Sequence, residues 1–282
     1  MTILVSKPDA LGDQILAAGF VQALRRHWPE ARVVWHVRAG MEVIATLVAD
    51  TSVFVPDPAA DPIREAERLW AESSTPIVIL PGAIHPYTDW EPGLDRRFQW
   101  WGNFLRATTW DLAVAPVVNR TGLTDFTVTA SGAARRVAFA ANGARQPLIE
   151  AAFTPLPEKK ASFTDEVPSS LAESEWSQLA RLLEVVAPGE TLRPPTLTVS
   201  LAASAAANQL LGGTPDLVLV APGVGANRQR AWPMANFVQL ASDLRTRGRD
   251  LRWIEGPHDA DYFAALPAAE SAARLKFDAA DL

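Results

Sequence analysis

"ILVSKPDALGDQILAAGFVQALRRHWPEARVVWHV", residues 3–37, decides how the chain folds. Ile3 to Ser6 form a short run suited to a buried strand, and a polar corner, Lys7 to Asp13, follows. Leu16, Phe20, Ala23 and Leu24 then recur at helical spacing. Arg25, Arg26 and His27 suit the negative C-terminal end of a helix, and Pro29 helps to end it. Ala31 to Val37 is β-branched and apolar, and reads as a second strand. Strand, helix and strand so closely spaced make a βαβ unit, which places the two strands parallel.

The same alternation runs on. Pro76 to Gly82, Asp111 to Val118 and Arg135 to Ala140 read as further strands. Leu94, Phe98, Trp101 and Leu105 mark one face of a helix between the first two. Ser169 to Val186 reads as a helix with Leu171, Leu179, Leu182, Leu183 and Val186 on its apolar side and serines placed to cap it. "APGETLRPPTL", residues 187–197, breaks both helix and strand and marks a domain boundary, giving domains 1–190 and 191–282. Beyond it come an Ala-rich helix ending at Leu211, a strand from Asp216 to Gly223, and a helix from Pro233 to Arg247 stopped by Gly248. A strand from Leu251 to Gly256 and a third candidate in "ARLKF" complete the series. The expected fold is α/β: two successive Rossmann-like domains with parallel sheets. The second is short, since a doubly wound sheet usually has about five strands.

Composition narrows the function. A net charge of −6 argues against nucleic acid as a partner, because phosphate binding needs a basic surface. The absence of cysteine removes disulfides, thiolate zinc sites and cysteine nucleophiles, and suits a reducing cytosol. Met1 to Asp13 meets charge and a turn too early for a secretory signal. No stretch approaches the roughly 18 apolar residues of a membrane span, so any membrane contact is expected to be peripheral. The four histidines lack metal-ligand spacing, and neither a metal site nor a cofactor is expected.

Ligands of open α/β sheets bind beyond the carboxyl ends of the strands. Three strand-exit loops carry polar groups there: Lys7 to Asp13, Asn119 to Asp125, and Gly223 to Trp232. Asp13 reads either as a helix N-cap or as a carboxylate at the mouth of a binding site. The helix start is expected to keep it ionised and to lower its basicity. Arg228 and Arg230, beside a glycine turn and a helix opened by Pro233, read as a diphosphate site or as a solvated basic loop. Trp90, Trp100 and Trp101 could stack on a sugar; core or domain interface is the stronger reading. Gly256 to Asp261 reads as a polar surface loop.

Residues 3–37 and "LVLVAPGVGANRQRAWPMANFVQLASDLRTRG", 217–248, together resemble the two domain openings of glycosyltransferase family 9, the ADP-heptose:lipopolysaccharide heptosyltransferases. "WDLAVAPVVNRTG" and "SGAARRVAF" fall between them in the expected order. The resemblance implies a GT-B architecture, two Rossmann-like domains facing a cleft. It also implies inverting, metal-independent transfer from a nucleotide-sugar, an ADP-sugar first, to a saccharide or glycolipid acceptor. Asp13 matches the family's base, Gly12 the glycine before it, and Lys7 a lysine of the same loop. Arg230 stands where the family has a lysine that steadies the donor phosphates. Gly223, Arg228 and Arg230 are thus expected on the donor side, and Lys7, Gly12, Asn119 and Arg120 on the acceptor side or as anion-stabilising groups. The implied location is cytoplasmic, with room for peripheral contact at the inner face of the membrane. The family's Asp-Ser/Thr-Gly-x-x-His donor motif has no match before Leu282, about 70–100 residues short of an ordinary second domain. A fragment, a naturally short chain, or a partner chain completing the sheet would each account for that. The alternative function is a catalytically inactive GT-B-derived binding or assembly module.

Overall fold

The computed structural model describes residues 1–82, 94–118, 120, 122–140, 163–170, 172–212, 216–224, 231–256 and 259–276. The chain divides into two compact units, Met1–Val199 and Ser200–Leu282.

In the first unit the strands are β1 (Thr2–Ser6), β2 (Arg32–Val37), β3 (Thr51–Val53), β4 (Ile77–Pro81), β5 (Leu112–Ala115), β6 (Arg135–Phe139) and β7 (Asp165–Val167). They form one sheet in the order β3-β4-β2-β1-β5-β6-β7, and every pairing is parallel. Its helices are α1 (Leu11–His27), α2 (Ile44–Leu47), α3 (Pro62–Glu72), α4 (Leu94–Arg106), α5 (Gly122–Ala130) and α6 (Glu175–Val186).

Parallel strands covered on both faces are apolar throughout, and successive residues feed opposite cores. Ile3 and Val5 pack on one face with Phe20, Val21 and Leu24 of α1 and Leu179, Leu182 and Leu183 of α6. Leu4, between them, packs on the other face with Leu69 of α3, Trp101, Phe104 and Leu105 of α4, and Phe126 of α5. Trp101 is therefore core, its indole N–H donating to Thr127 Oγ1 at 3.1 Å. Trp90 lies outside the described residues.

Two elements escape the apolar pattern. Helix α3 buries Glu65 beside Ala66 and Leu69, with Arg68 holding that carboxylate at 2.6 Å. Asp61 caps it, accepting from the backbone N–H of Ile63 and Arg64, and Pro62 opens it. Strand β3 is a three-residue edge. The helix read over 169–186 starts instead at Glu175, because Ser174 Oγ accepts from Ser177 N at 3.1 Å and caps it there; Leu171 lies outside the described residues.

The first unit runs to Val199 rather than to residue 190 because the proline-rich segment folds back on it. The Gln22 side-chain amide donates to Thr196 O at 2.8 Å and accepts from Thr196 N at 2.9 Å. Arg26 donates to Glu190 and to Thr191 O, and Thr198 N donates to Leu47 O.

The second unit contains α7 (Leu201–Leu211), β8 (Val218–Val220), α8 (Met234–Thr246), β9 (Leu251–Glu255), the single turn α9 (Ala260–Phe263) and β10 (Arg274–Lys276). Its three strands are parallel in the order β10-β9-β8. Trp253 centres a small core with Val220, Met234, Ala241, Leu251 and Phe263. Pro233 is the N-cap of α8 rather than its first helical residue, and Gly248, at φ +73°, ends that helix in the left-handed region. Among the described residues no helix is long and apolar enough to cross a membrane.

Candidate functional site

In the seven-stranded sheet the order reverses at β1, with β2 on one side and β5 on the other. Such a switch point leaves room between diverging strand-exit loops, and ligands bind there. The corner leaving β1 is the one that carries Lys7 and Asp13.

Asp13 is not the N-cap. Ala10 holds that place, in extended conformation and without a side-chain cap bond, so Asp13 is the third residue of α1. From there its carboxylate reaches back to accept the backbone N–H of Ala10, the acidic half of a capping box. The helix-start expectation was a lowered pKa; the structure reverses it. Burial pushes the Asp13 carboxyl above its ordinary value, and the Asp9 and Glu175 carboxylates push the same way. Lys7 and the Ala10 N–H pull it down, without prevailing.

Lys7 is 2% exposed. Its ammonium lies 3.0 Å from Asp9 and 2.6 Å from Glu175, the first residue of α6. Burial disfavours the charge, but the two carboxylates outweigh it and its pKa rises. The backbone of Lys7 is fixed as well: its N–H donates to His36 O at 3.0 Å, and the Gln14 amide donates to its carbonyl. Beneath it His36 is wholly buried, with Nδ1 3.0 Å from Ser6 Oγ, and burial lowers its pKa to about 3. The floor of the corner is thus neutral, and its charge is carried by Lys7, Asp9, Asp13 and Glu175.

Gly12 and Gly19 lie on the same helix and differ in what surrounds them. A Cβ on Gly12 would meet nothing within 4 Å, whereas one on Gly19 would lie 2.7 Å from Arg193 O and 3.3 Å from the Trp176 ring. Neither packing nor backbone angle requires glycine at 12, so the open backbone beside Asp13 is what an alanine would alter. Gly12→Ala is expected to stabilise the first unit by about 0.5 kcal/mol through helix propensity. Gly19→Ala is expected to destabilise it by about 2 kcal/mol, since a backbone carbonyl and the part-buried Trp176 indole must move. Urea unfolding of the two variants checks the opposite signs.

Of the other predicted groups, Arg120 has partners of its own. Arg120, 4% exposed, donates to Asp125 at 2.7 and 2.8 Å, to Phe139 O at 2.7 Å and to Glu166 at 2.8 Å, and stacks over Phe163. Its guanidinium ties α5 to β6 and β7. Asn119, Arg228 and Arg230 lie outside the described residues. Gly223, after β8, is overlain by the Asp259 carboxylate so closely that no Cβ could fit. Asp259 is buried, accepting from Gly256 N at 3.1 Å, so the Gly256 to Asp261 stretch is not simply a surface loop. Asp259 and Asp261 also have the Asp-x-Asp spacing associated with metal-dependent sugar transfer, a pair the expectation of metal independence leaves out; the first is buried and the second exposed. No group of three potential metal ligands comes together among the described residues.

Two members of the corner were not legible as such. Asp9 belongs to the polar loop but has no helical or strand register to flag it. Glu175 is 168 positions from Lys7, and only the tertiary packing of α6 on α1 brings the two together.

No family model matches the sequence, and no curated protein matches it. In structure the chain is similar to ADP-heptose lipopolysaccharide heptosyltransferase II of E. coli, at 14% identity and TM-score 0.56, over 99% of this chain and 73% of that one. It is similar to E. coli heptosyltransferase WaaC with ADP-2-deoxy-2-fluoro heptose, at 14% identity and TM-score 0.56, over 98% and 76%. A glycosyl transferase of family 9 from Veillonella parvula aligns at 15% identity and TM-score 0.54, over 93% of this chain and 65% of that one. The fold expected from residues 3–37 and 217–248, α/β with Rossmann-like parallel sheets as in the heptosyltransferases, is the fold of this chain.

Proposed function

We propose that the chain is an inverting glycosyltransferase that moves a heptose-like sugar from an ADP-sugar to a hydroxyl of a saccharide or lipid-linked saccharide. Asp13 is the base. The observation that carries this reading is a half-buried carboxylate at the switch point, in a chain folded like heptosyltransferases, whose ionisation burial displaces upward. A base for an alcohol must hold a proton in the transition state, and a carboxylate drawn out of water and flanked by two others holds one better. The acceptor oxygen attacks the anomeric carbon as Asp13 takes its proton. The nucleoside diphosphate departs from the opposite face, and its growing negative charge calls for cations and backbone N–H groups. Gly223, Arg228 and Arg230 are assigned to that donor side, and the open backbone at Gly12, together with Asn119, to the acceptor side. The transfer is metal-independent, and a lipid-linked acceptor would bring the protein to the cytoplasmic face of the membrane.

The test uses the whole chain. Calorimetry with ADP and ADP-heptose is expected to show micromolar binding, and ADP release is expected to depend on both donor and acceptor and to survive EDTA. An inactive binding module predicts neither donor affinity nor ADP release. Loss of turnover in EDTA with recovery on adding Mn²⁺ would reject the metal-free step and turn attention to Asp259 and Asp261.

A further inference from the structure

A lysine six positions before a base, in the same loop, is the natural counter-ion of that base. Paired with it, the lysine would hold the carboxylate ionised and poor at accepting protons. In this chain Asp13 takes part in no ion pair among the described residues, although Lys7 is near enough to act on it through space. The Lys7 ammonium has three N–H donors, and two carboxylates, Asp9 at 3.0 Å and Glu175 at 2.6 Å, stand within reach of them.

Glu175 is placed by packing rather than by sequence proximity. Ser174 caps α6, so Glu175 is its first residue, where a negative side chain is favoured. The next residue, Trp176, lies against α1 where Gly19 has no side chain, 3.3 Å from where a Cβ would stand. That contact brings the start of α6 close enough for Glu175 to reach the first corner. Of the elements packed on α1, α2 has no titratable residue and β2 offers the neutral His36. The charges facing Asp13 are therefore Lys7, Asp9 and Glu175.

We infer that Glu175 is a positioning residue: by holding the Lys7 ammonium from the first turn of α6, it keeps that cation out of a pair with Asp13 and leaves Asp13 able to accept a proton. This inference rests on Asp13 being the base. Glu175 itself touches no reacting atom.

The test follows the Asp13 carboxyl carbon by ¹³C NMR through a pH titration of the whole chain, in the wild type, Glu175→Gln and Glu175→Asp. Glu175→Gln removes one repelling carboxylate and leaves Lys7 with Asp9 as its one remaining ion-pair partner of the two, so the Asp13 midpoint is expected to fall by about 1 pH unit. Glu175→Asp keeps the charge on a shorter arm, and its midpoint is expected to fall by about half as much. In the transfer assay the acid limb of kcat/KM should move with the midpoint, kcat should drop about threefold, and the donor KM should stay within about twofold. An unmoved Asp13 midpoint in Glu175→Gln overturns the inference. So does a changed KM with an unmoved acid limb, the mark of a structural role. Should the glutamine chain fail to fold, an unmoved midpoint in Glu175→Asp overturns it equally. The titration needs no turnover, so absence of sugar transfer would reject the proposed function while the midpoint still judges Glu175.

Discussion

Asp13→Asn is expected to lower sugar transfer at neutral pH by about 10²–10⁴-fold and, at the same time, to make the first unit more stable. The loss is the ordinary worth of a positioned general base. The gain follows from the same electrostatics. A carboxyl whose folded-state pKa lies above its unfolded value binds its proton more tightly in the folded chain. Its contribution to stability is fully present below the unfolded pKa and is lost as pH rises through the folded one. At neutral pH the ionised Asp13 therefore works against the fold, being half-buried beside Asp9 and Glu175 with only Lys7 and one backbone N–H in its favour. Asparagine carries no charge and keeps an oxygen for the Ala10 N–H. The stabilisation should be present at pH 7 and vanish toward pH 3–4, where the native carboxyl is protonated as well. Initial rates of ADP release and urea unfolding at both pH values check the pair. A merely structural acid would lose stability at pH 7 when neutralised, and that result would remove Asp13 from the role of base.

The fold was legible wherever one rule of periodicity decided it. Short apolar runs such as Ile77–Pro81 and Leu112–Ala115 read as interior parallel strands, and they are buried throughout. The crossover helices between them follow from a 3.6-residue stripe. The pattern failed where a polar group does structural work. Helix α3 buries a glutamate, which its Arg68 partner makes tolerable, so its sequence looks like a surface stretch. The proline-rich segment 187–197 does stop helix and strand as its composition demands. It nevertheless belongs to the first unit, because Gln22, Arg26 and Gly19 on α1 receive it. Nothing in the composition of a linker says what its backbone will bond to.

The site was legible to a lesser degree. A polar corner after the first strand and a carboxylate at the helix start are local features, and they lie where the sequence puts them. The sign of the Asp13 shift is not local. It depends on burial by the rest of the fold and on a glutamate supplied by α6, and a helix start alone argues for the opposite direction. Arg120 illustrates the same limit from the other side. An arginine in a strand-exit loop has the chemistry of an anion-binding group, but whether its donors are free is settled by Asp125, Glu166 and the Phe139 carbonyl.

That commitment makes Arg120 a place where a substitution should cost the first unit heavily. Arg120→Met is expected to destabilise it by about 3 kcal/mol, because methionine matches the volume and can lie against Phe163 but leaves the acceptors behind. The acceptors are not equal. Glu166 is 51% exposed and can turn to water, so losing that pair costs little. Asp125 is 15% exposed and accepts through both oxygens, and the Phe139 carbonyl belongs to a fully buried strand residue. Stranding those two accounts for most of the loss. Glu166→Gln should therefore cost less than about 0.5 kcal/mol, and Arg120→Lys, which keeps the charge but cannot fork across Asp125, should fall between the two. Hydrogen exchange of the β5 and β6 amides in urea reads the first unit alone. If Arg120→Met instead unfolds like the wild type while the acceptor KM rises, the guanidinium is held for a ligand, and Asp125 and Glu166 are its resting partners.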